Sequence, residues 1–280
     1  MMSPGARVAA FVVLLAVIFA GAAYAGGALN PEPDHGDGHA PQSHDHAAAA
    51  TSAATAAPGG VSSTQGGYRL VPGDTRFTTG RAAPLTFRIV DAQGATVRDF
   101  DVEQARKMHV IVVRRDLRRY QHLHPAQGAD GAWTTPLTLP DAGVYRAFAD
   151  FRAGGARLTL GTDLFVPGDF APLDLPAAST TATVDGYEVT LHEHRGELGF
   201  VVRRGGKLVT DLQPYLGARG HLVALREGDL AYQHVHPHAG PPPEIAFHIG
   251  ATEPGTYRLF LQFRHENRVH TAAFTRVVQP

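Results

Sequence analysis

The 280-residue chain contains no cysteine. That single absence removes disulfide staples, thiolate metal ligands and cysteine nucleophiles together. Methionine is nearly as scarce: two of the three are Met1 and Met2, which argues against a thioether-rich copper(I) site and leaves nitrogen and oxygen as metal donors. Tryptophan occurs once, at Trp133. Charge of one sign is also missing. Lysine plus arginine total 25 and aspartate plus glutamate 26, so nothing points to nucleic acid or to an anionic membrane surface. No segment after the amino terminus shows a long apolar stretch with a 3.6-residue period and caps, which argues against a helical core.

What the chain does have is histidine, 16 in all, in a repeated pattern. Met108-His109 through Tyr120-Gln121-His122-Leu123-His124-Pro125 matches Gly220-His221 through Tyr232-Gln233-His234-Val235-His236-Pro237 without a gap, at an offset of 112 (109 to 221). Gly143-Val-Tyr145-Arg146-Ala-Phe148 matches Gly255-Thr-Tyr257-Arg258-Leu-Phe260 at the same offset, and Val97-Arg-Asp99-Phe100 matches Val209-Thr-Asp211-Leu212. A period this long exceeds a solenoid unit and reads as two whole domains. The length suffices for each to bury its own core.

The first 25 residues read as an export signal: Arg7 supplies the positive charge, Val8 to Ala20 is almost wholly apolar, and Ala23-Tyr24-Ala25 fits the small-residue cleavage rule. The alternative is an uncleaved anchor, since Val8 to Tyr24 approaches the length that spans a bilayer. Either way the remainder is expected outside the cytoplasm, secreted or membrane-anchored. Residues 26–66 are rich in Ala, Gly, Ser, Thr and Pro and are expected to be a flexible tether. Within it, His35, His39, His44 and His46 lie among Asp34, Asp37 and Asp45, a composition suited to weak capture of divalent cations or simply to solubility.

After residue 67 short alternating segments such as Leu85-Thr-Phe87-Arg-Ile89-Val90 are broken by turn signals such as Asp141-Ala-Gly143 and Glu253-Pro-Gly255. The pattern predicts an all-β chain of two tandem antiparallel β-sandwiches, 67–167 and 178–280, joined by a Pro-rich linker at 168–177.

The histidines can then be placed on a hairpin. His122 and His124 lie two apart on one strand and share a face. If Gly228-Asp229 form the turn, His221 lies opposite His236, and by homology His109 faces His124, with Cβ atoms about 5 Å apart. A loop of odd length would send the lone histidine to the other face. Three imidazoles at bonding distance suit zinc or copper(II) and leave one position open. The metal-ligand candidates are therefore His109, His122 and His124 in repeat 1 and His221, His234 and His236 in repeat 2. The competing reading makes them structural residues that duplication has copied.

Other candidates are thinner. His192-Glu193-His194 is a further His-x-His without a counterpart in repeat 1, expected on an exposed strand face. His238, His248, His265 and His270 enrich repeat 2. Asp99 and Asp211 match between copies as carboxylate ligands, partners of ligands, or turn residues. Trp133 has Ile245 as its counterpart and is expected in the core.

The paired Met/Gly-His … Tyr-Gln-His-x-His-Pro segments resemble those of secreted or membrane-anchored bacterial proteins labelled heavy-metal-binding. The resemblance spans about 67–280 and implies an extracytoplasmic Ig-like or cupredoxin-like double domain linked to copper handling. The absent cysteine departs from a blue-copper centre and rules out electron transfer of that type. Three functions are thereby in view. The first is non-enzymatic buffering, capture or delivery of copper(II) or zinc, with a divalent ion and an envelope metal-handling protein as partners. The second is a metal-free adhesion or scaffolding module of the envelope. A metal-dependent hydrolase or oxidase comes last, because no nucleophile elbow or phosphate loop accompanies the histidines, and Glu193 and Asp229 are the only bases suggested.

Overall fold

The computed structural model describes residues 58–194, 196–233, 235–238, 243–249 and 253–279. The signal or anchor segment and the four tether histidines lie outside them, as does His234. Among the described residues every regular element is a strand, and no helix is long and apolar enough to cross a membrane.

Repeat 1 consists of β1 (Thr64–Gln65), β2 (Tyr68–Pro72), β3 (Ala83–Val90), β4 (Met108–Arg114), β5 (Gln121–Leu123), β6 (Ala126–Gln127), β7 (Trp133–Leu137), β8 (Gly143–Ala153) and β9 (Ala156–Val166). Repeat 2 consists of β10 (Thr181–Val184), β11 (Tyr187–His194), β12 (Glu197–Arg204), β13 (Lys207–Leu208), β14 (Gly220–Arg226), β15 (Tyr232–Gln233), β16 (Val235–His238), β17 (Ile245–Ile249), β18 (Gly255–His265) and β19 (Arg268–Val278). In each repeat a sheet ordered β1-β2-β3-β7-β6, or β10-β11-β12-β17-β16 with β13 beside β12, faces a four-stranded sheet ordered β5-β4-β8-β9 or β15-β14-β18-β19. All these pairings are antiparallel. The molecule is a tandem of Ig-like β-sandwiches, as the alternation and turn spacing predict.

Each sandwich encloses its own core. Leu85, Phe87, Ile89, Trp133 and Leu137 meet Val110, Val112, Tyr145 and Phe151 in repeat 1, and Phe200, Val202, Ile245 and Phe247 meet Leu222, Leu259 and Phe263 in repeat 2. Trp133 and its counterpart Ile245 are both core residues. Tyr145 donates its hydroxyl to the Asp141 carbonyl (3.0 Å) and Tyr257 does the same to Glu253 (2.9 Å), a tyrosine corner in each copy.

A third apolar cluster joins the two. Ile111, Val113, Leu117 and Phe148 of repeat 1 pack with Val223, Leu225, Leu230, Tyr232 and Phe260 of repeat 2. All seven residues of β4 are buried, because its sheet is covered on both faces. Tyr120 stacks on Phe260 with ring centroids 4.1 Å apart, and the reciprocal pair Phe148–Tyr232 stands at 5.7 Å. Each copy thus presents the same patch to the other, as the subunits of a twofold dimer do.

The tether expected to extend to residue 66 ends sooner. β1 begins at Thr64, and the residues before it are already anchored: Gly60 N–H donates to Thr159 O (2.7 Å), Gly161 N–H to Ser62 O (2.9 Å) and Tyr232 N–H to Gly59 O (2.9 Å). Arg146, only 9% exposed, donates to the carbonyls of Gly60 and Val61. A buried guanidinium needs acceptors, and this small-residue segment supplies backbone ones.

Candidate metal centre

The register of the first hairpin is Val110↔Leu123, Ile111↔His122 and Val112↔Gln121, which continues to His109 beside His124. The even-loop parity read from sequence holds. His109, Ile111 and His122 share the face turned away from the repeat 1 core, and so enter the junction between the repeats. Their rings cluster: centroids lie 5.3 Å apart for His109–His122, 5.2 Å for His109–His124 and 4.7 Å for His122–His124.

The second hairpin has matching register, Ala224↔Gln233 and Leu225↔Tyr232, but its ladder stops there. The chain then crosses to the other sheet, where the His236 backbone pairs with His248. His221 follows β14 into the junction instead. Its ring stacks on His109 at 5.7 Å and 13° and lies 4.4 Å from His122. His221 thus meets the repeat 1 histidines across the junction, while His234 and the side chain of His236, its expected companions, lie outside the described residues. His109, His122 and His221 each offer one nitrogen to a group whose ligand atoms all lie within 4.8 Å of one another. The junction, not the hairpin alone, assembles the site, because the outer faces of β4 and β14 are packed together.

The hydrogen-bond partners favour one pair of available nitrogens. His109 Nε2 lies 3.1 Å from the Glu103 carbonyl oxygen, and His122 Nδ1 lies 2.6 Å from Gln262 Oε1. Both oxygens only accept, so both of those nitrogens carry the proton of a neutral imidazole. The remaining nitrogens, His109 Nδ1 and His122 Nε2, then face each other at 3.1 Å with lone pairs on both sides. Burial lowers the pKa of His109, takes that of His122 to about 3, and takes that of His124 to about 4 with help from neighbouring positive charge. The imidazoles are thus neutral at physiological pH. Two opposed lone pairs repel unless a cation lies between them, and tetrahedral zinc–nitrogen bonds of about 2.0–2.1 Å place two ligand nitrogens a little over 3 Å apart.

The carbonyl and amide partners have the role usual around metal-bound histidine, fixing ring orientation and tautomer. Sequence reasoning missed Gln262. It occupies the register position opposite His221 on β18, as Asp150 does opposite His109 on β8. Asp150 accepts from Thr159 Oγ1 (2.9 Å), and burial raises its pKa to about 7.

The remaining candidates do not join the cluster. His192 and His194 are exposed on β11. His238 lies 3.7 Å from Glu197, and His248 is exposed. His265 bridges the Tyr187 hydroxyl (2.7 Å) and Asp211 (3.2 Å), and His270 bonds Asp185 (2.8 Å). Asp99 is exposed. The two suggested bases are engaged, Glu193 by Arg276 and Asp229 by Arg226.

A family model described as "Domain of unknown function (DUF8832)" matches residues 63–167 and again 182–280. No curated protein matches the chain. Among solved structures, the Escherichia coli adhesin FdeC is similar at 13% identity over 78% of this chain and 65% of that one, with a TM-score of 0.28. Salmonella alpha-2-macroglobulin is similar at 15% identity over 79% of this chain and 15% of that one, TM-score 0.29. Titin domains Z1Z2, solved in complex with telethonin, give 12% identity over 77% and 98%, TM-score 0.21. The chain spans less than two thirds of the length of the adhesin and macroglobulin chains.

Proposed function

We propose that this chain, which belongs to the DUF8832 family through both of its sandwiches, is a non-enzymatic extracytoplasmic protein that captures copper(II) or zinc in one centre shared between its repeats. The observation that carries this reading is the pair of converging lone pairs on His109 Nδ1 and His122 Nε2, 3.1 Å apart, with His221 completing a three-nitrogen group. Three imidazoles from a packed junction leave a fourth position for water, a carboxylate or His124. His124 Nε2 is buried with no hydrogen-bond partner among the described residues. The extracytoplasmic placement rests on the apolar run Val8 to Ala20 and the Ala23-Tyr24-Ala25 site.

The test is titration of the full chain with zinc and copper(II) against competing chelators. Binding of one equivalent, lost in His221→Ala as well as in His122→Ala, supports the shared centre. Two equivalents, or affinity indifferent to His221, sinks it.

A second reading has its own support. The tandem Ig-like architecture serves a metal-free adhesion or scaffolding module of the envelope equally well, and the Gln262 and Glu103 bonds then make the histidines junction residues. Under this reading a chelator leaves the melting temperature unchanged, and neither metal raises it.

A further inference from the structure

Beside the histidine cluster a cavity of about 440 Å³ opens between the repeats. Arg106, His122 and His124 line it from repeat 1, and Tyr215, Arg264 and Asn267 from repeat 2; no acidic side chain does. Neither arginine has a carboxylate partner among the described ion pairs. Among the described residues the Arg106 guanidinium donates to the Ala105 carbonyl of its own turn (3.3 Å) and that of Arg264 to Asn267 Oδ1 (3.3 Å). Two guanidiniums, one from each repeat, therefore face a common space with their fork geometry unused.

The turn that carries Arg106 is held in place at a cost. Glu103 and Arg106 exchange both backbone hydrogen bonds (2.8 and 3.0 Å), with Gln104 and Ala105 between them at φ of 47° and 62°. Left-handed backbone is unfavourable at a non-glycine residue. The equivalent turn of repeat 2, Tyr215 to Ala218, has Leu216 and Gly217 at these positions and borders the same cavity. One strained turn thus presents the Glu103 carbonyl to His109 and Arg106 to the cavity.

Arg106 also sets a charge problem. Its guanidinium lines the same cavity as His122 and His124, so its positive charge opposes a metal cation held by those rings. An anion in the cavity offsets the arginines and reaches toward the open coordination position.

We propose that this cavity binds a small organic polycarboxylate, clamped between Arg106 and Arg264 and directed at the histidine cluster. Its role as companion to a metal rests on the function proposed above; the anion site itself stands on the arginines. The experiment is calorimetric titration of metal-stripped full chain with citrate at low ionic strength. One citrate binds per chain, and the Arg106→Gln/Arg264→Gln double variant weakens it at least tenfold, while Lys207→Ala, on an exposed strand elsewhere, leaves it unchanged. Absent citrate binding, or equal loss in Lys207→Ala, overturns the proposal. So does sulfate binding as tightly with the same arginine dependence, which makes the ligand an inorganic oxyanion. If the double variant fails to fold by circular dichroism, each single glutamine variant must still weaken citrate several-fold. His221→Ala separates the two proposals: zinc capture is lost while citrate binding stays. Citrate binding without zinc binding in the parent protein retains the cavity and rejects the metal centre.

Discussion

His109 and His221 occupy the same position in the two repeats, yet their rings stack on one another, 5.7 Å apart and inclined by 13°. Contact between equivalent residues places them close to the pseudo-twofold axis of the junction. That placement underlies the proposal of one shared centre, where hairpin geometry alone suggests two.

Under the proposed metal function, the tautomer argument makes Gln262 the residue that tunes His122 toward the ion. Gln262→Leu removes the acceptor that holds the proton on His122 Nδ1. Zinc affinity is expected to fall by about 10–100-fold, as is usual when such a partner is lost. Chelator competition measures it, and an unchanged affinity refutes the assigned tautomer.

Acid should loosen the metal-free protein. The folded pKa of His122 is about 3, that of His124 about 4, and that of His109 is also lowered, whereas unfolded histidine titrates near 6.5. Below that pH the unfolded chain gains protons that the folded chain refuses, so stability present above 6.5 is lost as pH falls toward 4. The expected loss is on the order of a few kcal/mol across this window. Urea midpoints at pH 7 and pH 5 measure it, and His122→Gln should flatten the difference.

Asp150 works in the opposite direction. Its folded pKa, raised to about 7 by burial, lets the native state keep a proton that the unfolded chain releases above 3.8. Its contribution is greatest at low pH and is lost as pH rises through 7. Asp150→Asn removes that loss, so the variant should gain stability over the parent at pH 8 compared with pH 5. Equal pH profiles for the two proteins would falsify this assignment.

At Gly161 an added Cβ lies 2.0 Å from the Gly60 carbonyl oxygen and 2.6 Å from Arg146 Nε. Gly161→Ala should expel the Gly59–Ser62 segment from its clamp, costing about 1–3 kcal/mol as overpacking does. Limited proteolysis should then cut near residue 60 much faster than in the parent.

Phe148 is fully buried between the repeats. Phe148→Ala should cost about 3–5 kcal/mol. If the repeats are coupled through this cluster, the parent melts in one transition and the variant in two; two transitions in the parent would show that the junction contributes little.

The sandwich fold was legible because period-two alternation and turn residues report a strand with one face in a core. The parity of the first hairpin was legible for the same reason, and it put His109, His122 and His124 together. The junction was harder to read. Its signal is the unbroken apolar run Val110-Ile-Val-Val113, with Leu222-Val-Ala-Leu225 in the copy, which marks a strand buried on both faces. Reading those runs as ordinary alternation hides the second face, and with it the meeting of His109 and His221. Gln262 lay beyond reach because a lone glutamine on an apolar strand signals nothing until its register partner is known. The β15–β16 crossover was equally silent, since Tyr232 to His236 alternates the same way in either sheet.

The reciprocal pairs Tyr120–Phe260 and Phe148–Tyr232 make the junction a dimer interface within one polypeptide. In a true homodimer every change near the axis is made twice, so its centre is condemned to symmetry. Covalent linkage lifts that restriction. Asp150 stands where the other half has Gln262, and Arg106 where it has Ala218. Duplication followed by divergence gives the axis a front and a back, and lets one half specialise in what it binds while the other preserves the frame.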